Sequence, residues 1–170
     1  MLGLPKGEVF LVPWCEEWER EFISERESIL AAAGQYILDV HHIGSTAVKH
    51  LSAKPIIDIA IEINEFQDGT KCAAPLEKLG YAYKGTDVLP DRHYFNKGEP
   101  RTHQIHMYRR GSNYLLEQLA FRDYLRGNEA ARMQYEQLKK QLSAAHKGDK
   151  HNYADSKTDF VKTILAITEK

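Results

Sequence analysis

Residues 44–46, Gly-Ser-Thr, have the types and order needed to bind an anion. They follow an apolar stretch at 40–43, and a glycine lets the backbone turn tightly, so that the next amides and two hydroxyls can face a phosphate group. Lys54 adds one mobile positive charge, and Pro55 after it favours an extended backbone. The alternative interpretation is a simple turn that caps a short helix.

Asp58 is the best candidate for binding a divalent metal. It lies in a run of alternating residues, 57–63, which predicts a strand with four isoleucines on one face. Asp58 and Glu62 share the other face, and a carboxylate in the middle of such a strand is costly to bury unless it binds something. Oxygen ligands suit Mg²⁺ or Mn²⁺, so these are the expected cofactors. A solvated or capping carboxylate is the alternative for either acid.

Two histidines lie on a later predicted strand, 103–109. By alternation Gln104 and His106 share one face, whereas His103 points the other way. A histidine pair could bind a metal or a phosphate, and a hydrogen-bonded histidine of the sheet is the alternative. The spacing does not match the patterns of phosphoesterases that use histidine as nucleophile or as acid and base.

Basic residues surround these strands and could contact phosphates. Arg92 and Arg101 flank the later strands, and the C-terminal part adds Arg122, Lys139 and Lys157. Each could equally be a solvated surface charge. Tyr94 and Tyr153 could stack on a nucleotide base, with core packing as the alternative.

The order of strand, Gly-Ser turn, short helix and carboxylate-bearing strand resembles the nucleotidyltransferase superfamily. In that superfamily the serine holds nucleotide phosphates and an Asp-x-Asp pair holds divalent metals. The sequence motifs are similar to those of one family in particular, the GrpB family, which is nucleotidyltransferase-like in fold. Three stretches of this chain resemble the signature of that family. They are His-Ile-Gly-Ser-Thr-Ala-Val at 42–48, Ala-Lys-Pro-Ile-Ile-Asp-Ile at 53–59 and Phe-Arg-Asp-Tyr-Leu-Arg at 121–126.

The resemblance implies Mg-dependent nucleotide binding and transfer of a nucleotidyl or phosphoryl group. The implied phosphate contacts are His42, Gly44, Ser45, Thr46, Lys54, Arg92, Arg101 and Lys157. The implied catalytic acids are Asp58 and Glu62, and the implied metal ligands are Asp58, His106 and His103. Ala60 stands where the superfamily has its second acid, which argues against two-metal catalysis and leaves a non-catalytic anion-binding module as the alternative. Some family members are fused to dephospho-CoA kinase, which implies a functional link to that enzyme.

The composition is that of an ordinary globular domain. The 170 residues carry 23 basic and 24 acidic side chains, so the net charge of −1 favours neither nucleic acid nor an anionic membrane. The two cysteines suggest reduced thiols, and the sequence shows neither a secretory signal nor an apolar run that could span a bilayer. We therefore expect a cytoplasmic protein.

The helices and strands that must position these residues can be predicted from sequence periodicity, and their order indicates an α+β fold with a mixed sheet. Helical periodicity covers 14–33, and strands are expected at 36–42, 55–63, 81–86, 92–96 and 103–109. The Asp58 strand should lie between the strands at 36–42 and 103–109, with the helix at 14–33 covering its isoleucines. A segment of three helices from Ser112 onward should pack on the sheet, so that 1–111 is an α/β core and 112–170 a helical part of the same unit.

Overall fold

The fold is built on a mixed five-stranded sheet, seen in a computed structural model that describes residues 1–145 and 150–168, with side chains described outside 150–156. The strands lie in the order β1-β2-β5-β4-β3. Only β2 and β5 are parallel, and the other neighbours are antiparallel. Their bounds are Ile37–Ile43 for β1, Ile57–Ile63 for β2, Tyr81–Tyr83 for β3, His93–Lys97 for β4 and His103–Arg109 for β5.

Six α-helices accompany the sheet within the described ranges. Their bounds are Glu16–Ala33 for α1, Asp68–Lys71 for α2, Ala73–Glu77 for α3, Asn113–Gly127 for α4, Glu129–Ala145 for α5 and Lys150–Thr168 for α6. None of these helices has an apolar stretch long enough to cross a membrane. The helices and the mixed sheet together form an α+β fold, as the sequence predicted.

The strand that carries Asp58 is an interior strand, as predicted, with β1 on one side and β5 on the other. In register, Asp58 lies opposite Ile43 of β1 and Gln104 of β5. Its neighbours Ile57 and Ile59 face the opposite side and are fully buried. Alternation along β2 therefore divides a purely apolar face from the face that carries the carboxylate.

Helix α1 covers the isoleucine face, again as predicted. Trp18 and Ile29 of α1 are fully buried in one cluster with the four isoleucines of β2. The helix begins at Glu16 and not at Trp14. The reason is that Val12 pairs with Ala53 in a β-bridge before Pro13, which keeps the preceding backbone extended.

Residues 68–79 form two short helices. Helix α2 ends at Lys71 and α3 begins at Ala73. Pro75 has no N–H, and its ring would clash with the carbonyl of Lys71 in a continuous helix, which accounts for the break.

The three C-terminal helices pack on the other side of the sheet. Leu115 of α4 joins Ile43, Ala60 and Tyr108 in one buried cluster. A second cluster joins the segment that follows β1 to α4, α5 and α6, through Val48, Leu51, Leu125, Ala131, Tyr135 and Ile164. The face of the sheet that carries Asp58 is therefore enclosed by this helical segment.

Candidate functional site

The Gly-Ser-Thr turn lies directly against Asp58. Strand β1 ends at Ile43, Gly44 has a φ of +75°, and residues Ser45–Ala47 form one turn of 3₁₀-helix. A Cβ atom on Gly44 would lie 3.0 Å from the Oδ2 atom of Asp58. A glycine is therefore required both by the backbone conformation and by the closeness of the carboxylate.

A cavity of about 250 Å³ opens between this turn, the β2–β5 pair and the C-terminal helices. We call it the turn pocket. Gln104 contributes from β5, and Gln118 and Phe121 contribute from α4. The polar and charged residues on which its chemistry depends are Gly44, Ser45, Lys54, Asp58, Lys139 and Lys157.

Three lysines and one carboxylate meet in the turn pocket. Burial and, to a lesser extent, the charge of Lys157 lower the pKa of Lys54 to about 8, and Asp58 acts in the opposite direction. Burial also lowers the pKa of Lys157, with Asp58 again opposing. The pKa of Lys139 is lowered by burial and by Lys157, and its Nζ donates a hydrogen bond to the carbonyl oxygen of Ser52 at 2.5 Å. The pocket is therefore electrostatically prepared for an anion.

Asp58 is in contact with His106, and Arg92 determines the tautomer of this histidine. The Nη1 atom of Arg92 lies 3.2 Å from the Nδ1 atom of His106. A guanidinium only donates, so Nδ1 accepts and the proton of the neutral ring is on Nε2. Nε2 lies 3.4 Å from the Oδ1 atom of Asp58, a long contact in which it donates. His106 therefore orients Asp58, and binding a metal through Nε2 would first require loss of that proton.

Two of the proposed acids and metal ligands lie away from the turn pocket. Glu62 lies further along β2, where its carboxylate is 2.6 Å from the Nε2 atom of His41. His103 is on the core face of β5, as alternation predicted, and lies beside Glu21. Burial lowers the pKa of His103. Asp58 is therefore the one carboxylate that the described residues bring to the pocket.

His42 supports the turn from behind. Its ring stacks on Phe22 with the centroids 4.7 Å apart, and its Nε2 lies 2.9 Å from the Oγ1 atom of Thr46. Burial lowers the pKa of His42 to about 3, so the ring is neutral. Arg122 donates to the carbonyl oxygen of His42. These contacts fix the position of the turn without placing His42 or Arg122 among the residues that line the turn pocket.

Arg92 and Arg101 also lie outside the turn pocket. The guanidinium of Arg92 is buried above the ring of Tyr108, 4.9 Å from its centroid. Arg101 forms a β-bridge with Leu4 at the edge of the fold. The ring of Tyr94 is buried beside His106, and the side chain of Tyr153 lies outside the described residues.

Tyr135 contributes to the site without having been predicted from chemistry. It is buried, its hydroxyl is directed toward Ser45, and its ring stacks on Phe160 of α6. Burial raises its pKa to about 12, so the hydroxyl keeps its proton. Lys139 is among the basic residues named from the sequence, and Tyr135 lies four residues before it on α5 and so shares its helix face, which is the signal that could have identified Tyr135.

A second, larger cavity of about 510 Å³ lies on the other side of the same turn. Thr46 lines both cavities. The larger cavity is bordered by Trp14, Lys49, Arg126 and Arg132, but it contains neither Asp58 nor Lys54. Because the metal candidate and the three lysines are in the turn pocket, that pocket is the better candidate for chemistry.

Comparisons with known proteins find relatives that match nearly the whole chain. The family model described as GrpB protein matches residues 8–166. The UPF0157 protein YqkA of Bacillus subtilis is 37% identical over 94% of this chain, which spans 47% of the length of YqkA. The glutamate-rich protein GrpB of Alkalihalophilus pseudofirmus is 34% identical over 97% of this chain and 98% of that protein.

Solved structures share the architecture. The crystal structure of the conserved protein GrpB from Enterococcus faecalis has a TM-score of 0.86 and 36% identity, and the match covers 94% of this chain and 96% of that one. The Cid1 poly(U) polymerase with MgGTP bound has a TM-score of 0.55 over 78% of this chain and 44% of its own. At 10% identity this second match shows the fold alone, a nucleotidyltransferase-like one. With the family model matching nearly its whole length, the chain belongs to the GrpB family.

Proposed function

We propose that this protein binds the phosphate groups of a nucleotide, or of another phosphorylated small molecule, in the turn pocket. Asp58 would hold one Mg²⁺ or Mn²⁺ there, and the reaction served would be transfer of a nucleotidyl or phosphoryl group to an acceptor. The observation that carries the proposal is the meeting of three lysines and the Gly44 turn around a single carboxylate.

The residues present fit one metal ion and not two. Mg²⁺ is commonly held by one or two carboxylates together with substrate phosphates, and the Asp58 side chain is 31% exposed, so it is accessible from the pocket. Ala60 is buried where a second acid would be needed, and Glu62 is engaged with His41. When bound, the ion would stabilise charge on the phosphoryl group during transfer.

The side chains of the pocket have separable tasks in this proposal. Lys54 and Lys157 offset the negative charge of the phosphates. Ser45 and the backbone of the turn offer hydrogen bonds to phosphate oxygens. His106 orients Asp58 through the contact at 3.4 Å, and Arg92 holds the tautomer that makes this contact favourable.

A second candidate function is a non-catalytic accessory module that binds a phosphorylated ligand without metal. It is favoured by the lysine excess in the pocket and by the absence of a second acid beside Asp58 among the described residues. Such a module would suit the proposed functional link to dephospho-CoA kinase.

Asp58→Asn separates the two candidates by the sign of its effect. The substitution keeps the shape but removes one negative charge from a pocket that receives an anion. If Asp58 holds a metal, the variant should lose the part of nucleotide binding that depends on Mg²⁺ or Mn²⁺. The same variant should bind the metal-free nucleotide more tightly, because a repulsive carboxylate has gone.

The measurement is a thermal-shift series with nucleoside triphosphates, with and without Mg²⁺ or Mn²⁺, on the parent and on Asp58→Asn. Glu62→Gln is the matched control on the same strand, and it should leave both series unchanged. Metal-dependent stabilisation that is lost in Asp58→Asn supports the enzyme. Stabilisation by metal-free nucleotide alone, in the parent and more strongly in the variant, supports the module. Equal metal-dependent binding by the parent and by Asp58→Asn would contradict the proposed metal site.

A further inference from the structure

Three potential metal ligands converge on the core side of the sheet, away from Asp58. Glu21 and Glu25 are one helical turn apart on α1, and His103 begins β5 opposite them. Their ligand atoms all lie within 4.8 Å of one another. The Nε2 atom of His103 is 3.1 Å from the Oε1 atom of Glu21 and 3.7 Å from the Oε2 atom of Glu25.

The hydrogen bonds of Thr102 determine which nitrogen of His103 carries the proton. The Thr102 hydroxyl donates to the carbonyl oxygen of Lys97 at 3.3 Å. The hydroxyl oxygen of Thr102 is also 2.7 Å from the Nδ1 atom of His103. Both contacts are hydrogen bonds only when the hydroxyl donates to Lys97 and Nδ1 donates to the hydroxyl oxygen, and Nε2 then keeps an unprotonated lone pair.

The lone pair of His103 is buried and makes no hydrogen bond within the described chain. The residue is only 3% exposed, and its Nε2 has no partner of suitable geometry although Glu21 is 3.1 Å away. Two atoms that bind one ion at about 2.1 Å are about 3.0–3.4 Å apart and are not collinear with the nitrogen lone pair. The observed contact therefore fits a pair of metal ligands better than a hydrogen bond.

The carboxylate of Glu25 is held in place by groups on its other oxygen. The Nζ atom of Lys97 is 2.7 Å from Oε1, and the hydroxyl of Tyr81 donates to the same oxygen at 3.0 Å. Oε2 is left facing His103. Supporting contacts of this kind orient the ligands of metal sites. By contrast, the other described group of this type, at Asp39, His41 and Glu62, is already satisfied by the 2.6 Å contact between His41 and Glu62.

We propose that Glu21, Glu25 and His103 form a binding site for a divalent transition metal such as Zn²⁺. Three electron-pair donors face one another there, and a cation would turn their repulsion into attraction. An imidazole with two carboxylates suits Zn²⁺, Co²⁺ or Mn²⁺ better than Ca²⁺. Glu21 is 37% exposed, which provides the entry path and leaves an open position for water. A bound ion would tie α1 to β5 across the core.

The experiment uses Glu21→Gln, because this side chain is at the surface and the substitution keeps its shape. Glu27→Gln, also exposed on α1 and outside the cluster, is the matched control. Zn²⁺ alone is titrated into EDTA-treated protein by calorimetry, and the visible absorption of Co²⁺ reports ligation by the imidazole. Each variant is checked for its fold by circular dichroism. Asp58→Asn, measured in parallel, keeps this site distinct from the proposed nucleotide site.

We expect one saturable Zn²⁺ site in the parent, in Glu27→Gln and in Asp58→Asn, and an affinity at least about a hundredfold lower in Glu21→Gln. Metal-free Glu21→Gln should melt no lower than the parent, since the new amide can donate to the lone pair of His103. A lower melting temperature of metal-free Glu21→Gln would show an ordinary ion pair with a protonated His103 and overturn the proposal. Unchanged Zn²⁺ affinity in that variant would also overturn it.

Discussion

The lowered pKa of Lys54 makes a quantitative prediction for ligand binding. With a pKa of about 8 in the folded protein, this lysine is about 90% protonated at pH 7 and about 10% protonated at pH 9. A bound phosphate group favours the protonated form. Its own last ionisation has a pKa of about 6, so its charge hardly changes above pH 7. Affinity for a nucleotide should therefore fall about tenfold between pH 7 and pH 9, a change of about 1.4 kcal/mol.

The stability of the ligand-free protein changes with pH in the opposite direction to its affinity for the ligand. Because the pKa of Lys54 is about 8 when folded and 10.5 ordinarily, the unfolded chain holds more protons between these values. The contribution of Lys54 to the stability of the ligand-free protein therefore rises with pH across that window. Binding, in contrast, should weaken with pH and should take up protons, to which Lys139 and Lys157 add in the same direction.

The assay is calorimetric titration of ADP in EDTA at pH 7, 8 and 9, with buffers of different ionisation enthalpy to count the protons taken up. At pH 8 we expect an uptake of about half a proton or more for each ADP bound. The control is Lys54→Arg, which stays charged throughout and should show a smaller loss of affinity with pH. An affinity that is flat from pH 7 to pH 9, or the same pH dependence in Lys54→Arg, would refute the reasoning.

Two further predictions test the turn and the helical segment. Gly44→Ala should lower the stability by about 1–3 kcal/mol, because a φ of +75° with an extended ψ is a conformation that essentially only glycine adopts. It should also weaken ADP binding, because its Cβ would lie 3.0 Å from the Oδ2 atom of Asp58. Chemical denaturation and calorimetry measure the two effects, and unchanged values would contradict the close packing described. A chain ending at Gly111 should be molten or insoluble, because it exposes Val48 and Leu51. Circular dichroism and calorimetry with ADP measure this, and a well-folded fragment with unchanged ADP binding would contradict it.

The sheet around Asp58 could be predicted because its sequence pattern is local and clean. Alternation in 57–63 defines a strand with one apolar face, and such a face must be covered. The helix that begins near Trp18 has a matching apolar stripe and packs there. The strand and the apolar stripe of the helix each follow from neighbouring residues alone, which is why the structure confirms both.

The composition of the turn pocket could be predicted only in part. Lys157 was included through resemblance to the family and does line the pocket. Lys139 was also named as a possible phosphate contact, but its burial to 2% exposure could not be predicted, because a lysine on an amphipathic helix is ordinarily solvated. Helical periodicity identifies the apolar face of α5, but it does not specify the segment beneath that face. For the same reason Arg92 could not be placed, and it lies on Tyr108 instead of in the turn pocket.

The long sequence separations within the pocket have a consequence for folding kinetics. Asp58 meets His106 across 48 positions, and Lys139 meets Ser52 across 87. Contacts of this range require large loops to close, and β2 and β5 form a parallel pair with no local connection. Closing these loops is slow, so the pocket should assemble later than the local contacts within α1. A ligand that binds only the finished pocket would slow the unfolding of the protein and leave its folding rate unchanged.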